Sequence, residues 1–399
     1  MTIEVKTLTS EDYPAWIDAK VLAFGGIVPD SEIRRSPVEL ARSLAAFDEG
    51  RIVGTMNVHS FQIRAPGGWL PMAGVAGVTV QSTHRRKGLM TRMMRCQLQD
   101  MHERGDLVSG LYASETIIYG RFGYGMATFH EDWSIDRLRA GLDPGLSVSG
   151  RVEFISRSEA LELFPRIHET AFPQRSGMIK RNSGRWQFCL GDSQERSSQE
   201  ATSKIYAVCR KQSREEGYVV YQIRPLDRVV VVHELCSTTD EARLALWHFC
   251  FGVDLMVSIE ALRRPLEDPL LWELADPRHL KRSPSDGLWL RLVNAPAALS
   301  KRLYACEGRI ALRLEDPVCP WNQGSFELEG GPDGALCRPT RREVDLELTA
   351  SELGAVFLGG VRFRTLFHAG RIKARNAEAI RKADAMFSTK LQPWCSESF

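Results

Sequence analysis

Three basic residues and a glycine stand between a strand-like run and a helix-like run, a combination suited to binding an anion. Val78–Val80 ends a predicted strand, Arg85–Lys87 and Gly88 lie in a polar loop, and Leu89 begins a helical apolar pattern. A helix N-terminus presents free backbone N–H groups and the positive end of a dipole, and a glycine lets a ligand come close to the backbone. Because arginines add charge-assisted contacts, we expect this loop to bind a pyrophosphate.

The loop differs from the two common nucleotide-binding loops. It lacks the lysine and the Ser/Thr at the positions of GxxxxGK[ST], and its glycine does not belong to a GxGxxG pattern. The order V-x-V, loop, R-R-x-G-x-x instead resembles the coenzyme A site of the Gcn5-related N-acetyltransferases (GNAT). The resemblance implies that the anion is the pyrophosphate of coenzyme A (CoA).

A second segment, Ser114–Gly125, is rich in glycine and contains Tyr119 and Tyr124. In an acyltransferase of this shape it lies where parallel strands separate, and either hydroxyl can hydrogen-bond to the departing CoA sulfur. An unperturbed phenol has a pKa of ~10 and a thiol one of ~8.5, so complete proton transfer to a free thiolate is uphill by about 2 kcal/mol. We therefore expect donation to a developing thiolate. The alternative is that both tyrosines are core or lid aromatics with satisfied hydroxyls.

Alternating strands and helices are predicted to bring these two segments to one side of a sheet. A strand at Met72–Val80, a helix that Gly105 stops, and a strand at Leu107–Ser114 form a β-α-β unit. The helix has apolar residues on one face at Met90, Met94, Leu98 and Met101. Upstream, the sequence predicts helices at Ser10–Phe24 and Glu32–Ser43 and a hairpin formed by Arg51–Val58 and Phe61–Ile63.

The rest of the chain repeats the strand-to-helix step without the basic loop. A strand at Arg228–Cys236 leads through a capping pattern at Thr238–Glu241 into a helix that reaches Phe251. This indicates either a second copy of the fold that has lost its CoA site or simply another α/β unit. Arg282–Gly287 is predicted to be a linker. Beyond it we predict an α+β domain with strands Leu288–Val293, Gly308–Leu314, Ser325–Leu328 and Val344–Leu348 and helices Ser351–Phe357 and Asn376–Phe387.

Composition excludes several classes of protein. A formal net charge of +2 over 399 residues gives no overall case for binding nucleic acid. No apolar run approaches the ~20 residues that span a membrane, and the N-terminus has no signal-peptide core, so we expect a cytoplasmic protein unless it is secreted by a non-standard route. The nine cysteines are odd in number and form no CxxC, and the nine histidines show no HExxH. We therefore expect neither a disulfide framework nor a metal.

Taken together, the two segments resemble the enhanced intracellular survival family of acetyltransferases. The similarity lies in V-T-V-x-x-T-H-R-R-x-G-L and A-S-E-x-x-I-Y-G-R-F-G-Y-G, in their spacing and in the overall layout. It implies an α/β (α+β) fold with two tandem GNAT-like domains, the second degenerate, followed by a sterol-carrier-protein-like α+β domain. The implied domains cover 1–145, 146–286 and 287–399.

The resemblance also assigns site residues around acetyl-CoA as co-substrate. Tyr119 corresponds to the general acid of the family, which favours it over Tyr124. Backbone hydrogen bonds from Val78, Thr79 and Val80 are expected to hold the pantetheine arm. The expected pyrophosphate loop comprises Arg86, Lys87, Gly88, Leu89, Met90 and Thr91 with Arg85 beside it, and Ser114 and Glu115 are expected further along the CoA site.

Members of the family end in a carboxylate, often on Phe, that reaches into the active site as the base, and this chain ends in Phe399. Without the resemblance, the terminus would be taken for a frayed end. An α-carboxylate with a pKa of ~3.5 is a weak base for an ammonium with a pKa of ~10. Either burial raises the pKa of the carboxylate, or the carboxylate acts through a water, or it mainly orients the cationic amine. The chain differs from the family motifs at Gln81-Ser82 and at Thr116-Ile117. Because of the difference at Thr116-Ile117, the family does not predict the shape of the acceptor pocket.

The expected function is transfer of acetyl from acetyl-CoA to primary amines by direct attack, with aminoglycoside antibiotics as acceptors at more than one position. The alternatives are a protein-lysine acetyltransferase and a non-catalytic CoA- or lipid-binding regulator. A homohexamer built as a trimer of dimers is a further expectation from the family. From net charge and the lack of a long apolar run we expect no nucleic-acid and no membrane partner. Phe24, Trp69 and Glu397 are the residues that we suggest for the acceptor groove.

Overall fold

A computed structural model describes residues 3–25, 38–172, 175–191 and 201–399 and divides the chain into two compact units. The first unit comprises Met1–Thr128, Arg175–Lys180 and Asp286–Phe399, and the second comprises Phe129–Gln174 and Arg181–Ser285. In the described ranges, every helix is too short or too polar to cross a membrane.

The N-terminal part of the first unit is an α/β sandwich. Its elements are β1 (Glu4–Thr7), α1 (Tyr13–Phe24), β2 (Leu44–Asp48), β3 (Arg51–Ala65), β4 (Gly68–Val80), α2 (Leu89–Arg104), β5 (Val108–Leu111), α3 (Thr116–Tyr119) and β6 (Gly125–Met126).

The second unit follows the same plan. Its elements are β7 (Phe129–Asp136), β8 (Arg151–Ile155), α4 (Arg157–Ala171), α5 (Ser183–Cys189), β9 (Ile205–Lys211), β10 (Arg214–Arg224), β11 (Val229–Ser237), α6 (Asp240–Phe251), β12 (Ser258–Arg264), α7 (Leu270–Glu273) and β13 (Lys281–Asp286). They form one sheet in the order β13-β7-β12-β11-β10-β9-β8. As predicted, β11 leads into the helix α6, which the Thr239 side chain caps. The next strand, β12, pairs with β11 in parallel and completes a β-α-β unit.

The C-terminal part returns to the first unit with β14 (Trp289–Leu292), α8 (Ala295–Lys301), β15 (Gly308–Glu315), β16 (Gly324–Gly331), β17 (Gly334–Pro339), β18 (Leu346–Thr349), α9 (Ala350–Val356), α10 (Phe363–His368), β19 (Lys373–Ala374) and α11 (Ala377–Phe387). Strands β15–β19 form a sheet in the order β17-β16-β15-β18-β19. β14 instead pairs in the N-terminal sheet, whose order is β1-β2-β3-β4-β5-β14-β6. One continuous core of apolar side chains joins the two sheets of this unit.

The β-α-β unit predicted from the sequence is present. β4 and β5 are parallel, α2 connects them, and Gly105 ends α2 with φ +80°. The buried face of α2 contains Met94, Leu98 and Met101 as predicted, while Met93 rather than Met90 completes it.

Three of the predictions need correction. The hairpin predicted within Arg51–Ile63 is wrong, because β3 is a single strand that pairs with β4 from Gly54 to Ala65 and turns only at Pro66-Gly67. The linker at Arg282–Gly287 is also wrong. Residues 282–286 lie in β13, an exposed edge strand whose polar residues and proline suit an edge, and only Gly287 lies beyond it. In the predicted helix Glu32–Ser43, residues 32–37 lie outside the described part, and Leu40–Arg42 forms a single 3₁₀ turn.

The domain boundaries at 145/146 and 286/287 stay predictions. Two features of the fold bear on where they fall. β7 pairs with β12 in the second sheet, although it precedes residue 145. β14 pairs with β5 and β6 in the first sheet, although it follows residue 287.

Candidate active site

The parallel strands β4 and β5 separate after a short contact and leave a fork in the N-terminal sheet. They pair only over Met72–Gly74, while β4 continues to Val80. At Gly77-Val78, β4 contains a bulge opposite Met56 of β3, and Gly77 has a φ of +58°. A bulge increases the twist of a strand and redirects its backbone groups, so the edge of β4 beyond the fork is open to a strand-like ligand. Val78, Thr79 and Val80 lie on this stretch.

The loop after β4 is exposed, basic and ends on a helix N-terminus. Arg85, Arg86 and Lys87 are solvent-exposed, and Arg86 and Gly88 have φ values of +62° and +76°. The first helical hydrogen bond of α2 runs from the Arg92 N–H to the Gly88 carbonyl at 3.1 Å. The amides of Leu89, Met90 and Thr91 therefore precede the helical ladder and are available to an anion.

Side chains outside the basic set hold the loop in place. His84 contacts the Asp48 carboxylate at 3.0 Å, and Thr83 contacts the other nitrogen of that imidazole at 2.7 Å. The Gln81 amide donates to the Ile52 carbonyl at 2.8 Å. No sequence pattern indicated a role for these anchors, although Thr83 and His84 lie inside the motif.

Tyr119 ends α3, is only 6% exposed and hydrogen-bonds to the Ser114 hydroxyl. Burial raises the pKa of Tyr119, the Ser114 hydroxyl opposes this shift, and the Glu115 carboxylate adds to it. Tyr119 therefore stays protonated at neutral pH, as a proton donor must. The bulk that Thr116-Ile117 adds before Tyr119 points outward, because Ile117 is 80% exposed.

Tyr124 is completely buried and its hydroxyl is already engaged. It hydrogen-bonds to the Ser109 hydroxyl at 2.7 Å, and Ser109 in turn donates to the Ala73 carbonyl at 3.1 Å. Burial raises the pKa of Tyr124 far above its ordinary value. Tyr124 is therefore a core aromatic with a satisfied hydroxyl, which was the alternative interpretation of both tyrosines.

The chain terminus lies at the fork. The Phe399 ring packs against Phe61 and Tyr112 with ring centroids 4.9 and 5.3 Å apart, and a Cβ placed on Gly74 would lie 3.0 Å from it. Gly74 is the last residue of β4 that pairs with β5. The Tyr112 hydroxyl donates to the Glu397 carbonyl and fixes the tail two residues before its end. Nothing in the local sequence singled out Phe61 or Tyr112.

The three residues suggested for the acceptor groove lie at different places in the first unit. Glu397 is buried beside Tyr112. Trp69 stands five residues before Gly74 on β4, about 17 Å away at the rise of a strand, and its ring stacks with Arg64. Phe24 packs with the apolar cluster of α1.

The C-terminal part also supports the Ser114–Gly125 segment from behind. Arg291 of β14 donates to the Phe122 carbonyl and forms a fully buried ion pair with Asp316, with N···O distances of 2.5 and 2.7 Å. The Ser351 hydroxyl donates to the Tyr124 carbonyl at 2.8 Å. A side chain on Gly123 would collide with Arg291, and one on Gly125 with the Ser351 backbone. These two glycines allow Arg291 and the Ser351 backbone to pack directly against the Ser114–Gly125 segment.

The equivalent strand-to-helix turn of the second unit has the opposite charge. Thr239 caps α6, and Asp240 and Glu241 occupy its first turn. The Thr239 hydroxyl donates to the Glu216 carboxylate at 3.0 Å. Carboxylates at this helix N-terminus repel an anion, so this turn is unsuited to a pyrophosphate. Among the described residues there is also no His, Cys, Asp and Glu cluster that could hold a metal.

Comparison with known proteins agrees with this layout. Residues 4–127 and 177–292 match acetyltransferase (GNAT) domains, and residues 295–396 match a sterol carrier protein domain. The chain is 34% identical over 412 residues to an uncharacterized N-acetyltransferase from Streptomyces avermitilis, covering all of both chains. It is 31% identical over 403 residues to N-acetyltransferase Eis from Mycobacterium tuberculosis, covering 98% of each. The crystal structure of Eis1 from Mycobacterium abscessus superimposes with a TM-score of 0.84 at 29% identity and full coverage of both chains.

Proposed function

The chain belongs to the Eis family of GNAT N-acetyltransferases, and from this premise we propose that it acetylates primary amines of aminoglycoside antibiotics, at more than one position, by direct attack of the amine on acetyl-CoA. The observation that carries the proposal is the position of Phe399 at the fork between β4 and β5, beside Gly74. The ring of the last residue lies beside the edge at which a strand-like ligand can bind, which supports a role there for its carboxylate. The fold comprises two GNAT domains and a sterol-carrier-like domain, as predicted.

The proposed donor site follows the open edge of β4 and the loop after it. The residues fit CoA because an extended arm can pair with Val78, Thr79 and Val80, while the anionic end meets the exposed basic residues and free amides at the start of α2. The pyrophosphate contacts are assigned to Arg85, Arg86, Lys87, Gly88, Leu89, Met90 and Thr91. Ser114 and Glu115 lie on the segment that leads to Tyr119, and Ser114 also holds its hydroxyl.

Tyr119 is proposed as the general acid. Its raised pKa keeps the proton on the phenol at working pH and also makes full transfer to a thiolate more unfavourable. Tyr119 therefore stabilises the departing sulfur by a hydrogen bond that strengthens as charge develops. Tyr124 is not proposed for this role, because its hydroxyl is bound to Ser109 in the core.

The Phe399 carboxylate is proposed as the group that receives the amine. An ammonium is attracted to it, loses a proton to it or to a bound water, and then attacks as the neutral amine. The aromatic contacts of the Phe399 ring with Phe61 and Tyr112 hold this side chain at the fork, which supports the proposal. No cysteine is assigned a role, since direct attack needs no covalent enzyme intermediate.

Three further predictions rest on the resemblance and are proposed with it. They are a homohexamer arranged as a trimer of dimers, a cytoplasmic location, and a small-molecule amine as the acceptor. Light scattering in solution tests the first, because a hexamer has six times the 44.9 kDa mass of the chain. A dimeric or monomeric mass would contradict it.

The experiment that tests the function is release of free thiol from acetyl-CoA in the presence of a panel of amines, with each product weighed by mass spectrometry. Turnover with aminoglycosides and products that carry more than one acetyl group are the expected results. Turnover with lysine peptides alone would favour a protein-lysine acetyltransferase. CoA binding without thiol release from any amine, together with co-purified lipid, would favour the non-catalytic regulator.

A further inference from the structure

Six residues, Arg175–Lys180, belong to the first compact unit, although the residues on both sides of them in the chain belong to the second. All of them except Lys180 are buried. Ile179 is 1% exposed and is part of the apolar core that joins the two sheets of the first unit. We refer to Arg175–Lys180 as the bridging segment.

The bridging segment pairs with the outer edge of β3. The Gly177 N–H donates to the Arg64 carbonyl at 2.8 Å, and the Arg64 N–H donates to the Met178 carbonyl at 2.7 Å. A third bond runs from the Lys180 N–H to the Gln62 carbonyl at 2.9 Å. Because β2 pairs only with the first part of this edge, the bridging segment binds backbone groups that an open edge would leave unpaired.

The bridging segment also holds the C-terminal tail. The Trp394 N–H donates to the Ser176 carbonyl at 2.9 Å. The Arg175 Nε–H donates to the Gln392 carbonyl at 3.2 Å, and the Arg175 guanidinium lies over the Trp394 ring, 5.5 Å from its centroid. Arg175 is 8% exposed and Trp394 is 4% exposed. A backbone bond, a charge-assisted bond and a cation–π contact, all largely shielded from water, therefore fix this part of the tail.

Gly177 lets the tail pack directly against the backbone of the bridging segment. Its φ is +93°, and a Cβ at this position would lie 2.7 Å from the Trp394 carbonyl oxygen and 3.1 Å from the Thr128 methyl group. A backbone carbonyl cannot rotate away as the end of a flexible side chain can. An alanine at Gly177 therefore requires Trp394 to move.

The tail is held again at the fork. The Phe399 ring packs against Phe61, which precedes the part of β3 that binds the bridging segment, and the Tyr112 hydroxyl donates to the Glu397 carbonyl. Phe399 comes five residues after Trp394, and five residues of fully extended chain span at most about 18 Å. A displacement of Trp394 is therefore passed on to the terminus.

We propose that the bridging segment positions the chain terminus for acetyl transfer, with Arg175 and Gly177 as its positioning residues. The inference rests on the proposed role of the Phe399 carboxylate. One strand, β3, binds the bridging segment and also contacts the Phe399 ring, so it holds the tail near both of its ends. Arg175 and Gly177 act through the tail and are assigned no contact with CoA or the amine.

Alanine substitutions at two glycines test the proposal. Gly177→Ala adds a methyl group against the Trp394 carbonyl, whereas Gly50→Ala adds one at a φ of +78° where nothing in the described part of the chain lies within 4 Å. Both variants strain the backbone, and only Gly177→Ala displaces the tail. We expect kcat with an aminoglycoside to fall about 100-fold in Gly177→Ala, as when a general base is lost, with acetyl-CoA affinity within about twofold of wild type. Gly50→Ala should match wild type in both.

Release of Phe399 by a carboxypeptidase that prefers aromatic ends gives a readout that does not depend on turnover. The protease reaches the terminus only when the tail opens locally, so the release rate from the folded protein reports that opening. Arg175→Met removes the bond to Gln392 and should speed release at least about 10-fold, the worth of one hydrogen bond from a charged donor. Gly177→Ala should speed release by at least as much, and Gly50→Ala should not change it. Urea unfolding selects conditions in which each variant is folded, and Arg175→Met provides the test if Gly177→Ala does not fold.

The outcomes separate the two proposals. If the wild-type chain acetylates no amine, the proposed function fails, while the rates of Phe399 release still test the bridging segment. If the wild-type chain is active and Gly177→Ala matches Gly50→Ala in kcat, the role of the bridging segment is overturned. Release of Phe399 from Arg175→Met at the wild-type rate would overturn it as well, as would an equal loss of kcat and of acetyl-CoA affinity in Gly177→Ala.

Discussion

At the scale of the residue, burial separates two tyrosines that share one motif. Tyr119 retains a small exposed fraction and a hydroxyl partner, Ser114, at the mouth of the segment. The Tyr124 hydroxyl is bound to Ser109, five residues behind Ser114 in the sequence and inside the core. The same phenol side chain is thus proposed to act in catalysis at Tyr119, while at Tyr124 it packs in the core.

The first prediction concerns these two hydroxyls. Tyr119→Phe removes the hydrogen bond to the developing thiolate and should lower kcat about 100-fold, the lower end of what a general acid contributes. The affinity for acetyl-CoA should not change. Tyr124→Phe should cost about 1 kcal/mol of unfolding free energy through the lost Ser109 bond and leave kcat near wild type. Steady-state kinetics and urea unfolding of both variants check this, and equal kcat values would contradict the assignment.

The second prediction concerns the pH dependence of stability. The folded pKa of Lys20, about 8, lies below its unfolded value of 10.5, so the buried ammonium destabilises the fold at neutral pH. Between these two values the unfolded chain binds the extra proton, and the stability of the wild type rises with pH. Lys20→Met should therefore stabilise the protein by about 2 kcal/mol at pH 7, once the lost hydrogen bond from Lys20 to the Asn57 side chain is deducted, and the gain should vanish as the pH approaches 10. Urea unfolding at both pH values measures it, and a gain independent of pH would contradict it.

At the scale of the element, the exposed start of α2 is the proposed anion site. Arg86→Ala should weaken acetyl-CoA binding about 10-fold, since one charge-assisted contact to the pyrophosphate is lost. Binding of acetyl-CoA to this variant should also depend less on salt concentration. Calorimetry at two salt concentrations measures both. Arg95→Ala, nearly two turns into α2 and also exposed, is the control and should bind as wild type.

The ion pair behind the catalytic segment gives a fourth prediction. Asp316 is 1% exposed and neutralises Arg291, which holds the Phe122 carbonyl. Asp316→Asn leaves a buried guanidinium without its charge partner and should cost about 3–5 kcal/mol of unfolding free energy. Arg309 and Glu329 form an exposed pair on β15 and β16, and Glu329→Gln should cost less than about 1 kcal/mol. Similar losses of unfolding free energy in both variants would contradict this role of the buried Arg291–Asp316 pair.

Local elements of the site were predictable and its long-range contacts were not. The strand, loop and helix around Val78–Thr91 are contiguous, so periodicity and the positions of glycine were enough to locate them. The bond from Tyr112 to Glu397 spans 285 residues, and the one from Arg291 to Phe122 spans 169. No local pattern records such distances. Phe399 was assigned only through the resemblance, because a polar tail with one aromatic residue has no distinctive local signal.

At the scale of the whole molecule, the sterol-carrier-like part completes the acetyltransferase domain. It contributes β14 to the N-terminal sheet, Ser351 and the Arg291–Asp316 pair to the support of the catalytic segment, and the terminus to the fork. These contacts explain its presence as a structural part of the site. The second GNAT domain carries acidic residues where the first carries basic ones, which leaves one proposed CoA site in each chain.

The central claim is that the terminal carboxylate of Phe399 works at the fork where acetyl-CoA binds. A chain extended by a few residues after Phe399 moves that carboxylate away, while the loop at Val78–Thr91 is untouched. Thiol release with an aminoglycoside should fall by at least about 100-fold, as expected when a general base is lost, and calorimetry should find acetyl-CoA binding within about twofold of wild type. An extended chain that turns over at the wild-type rate would contradict the account.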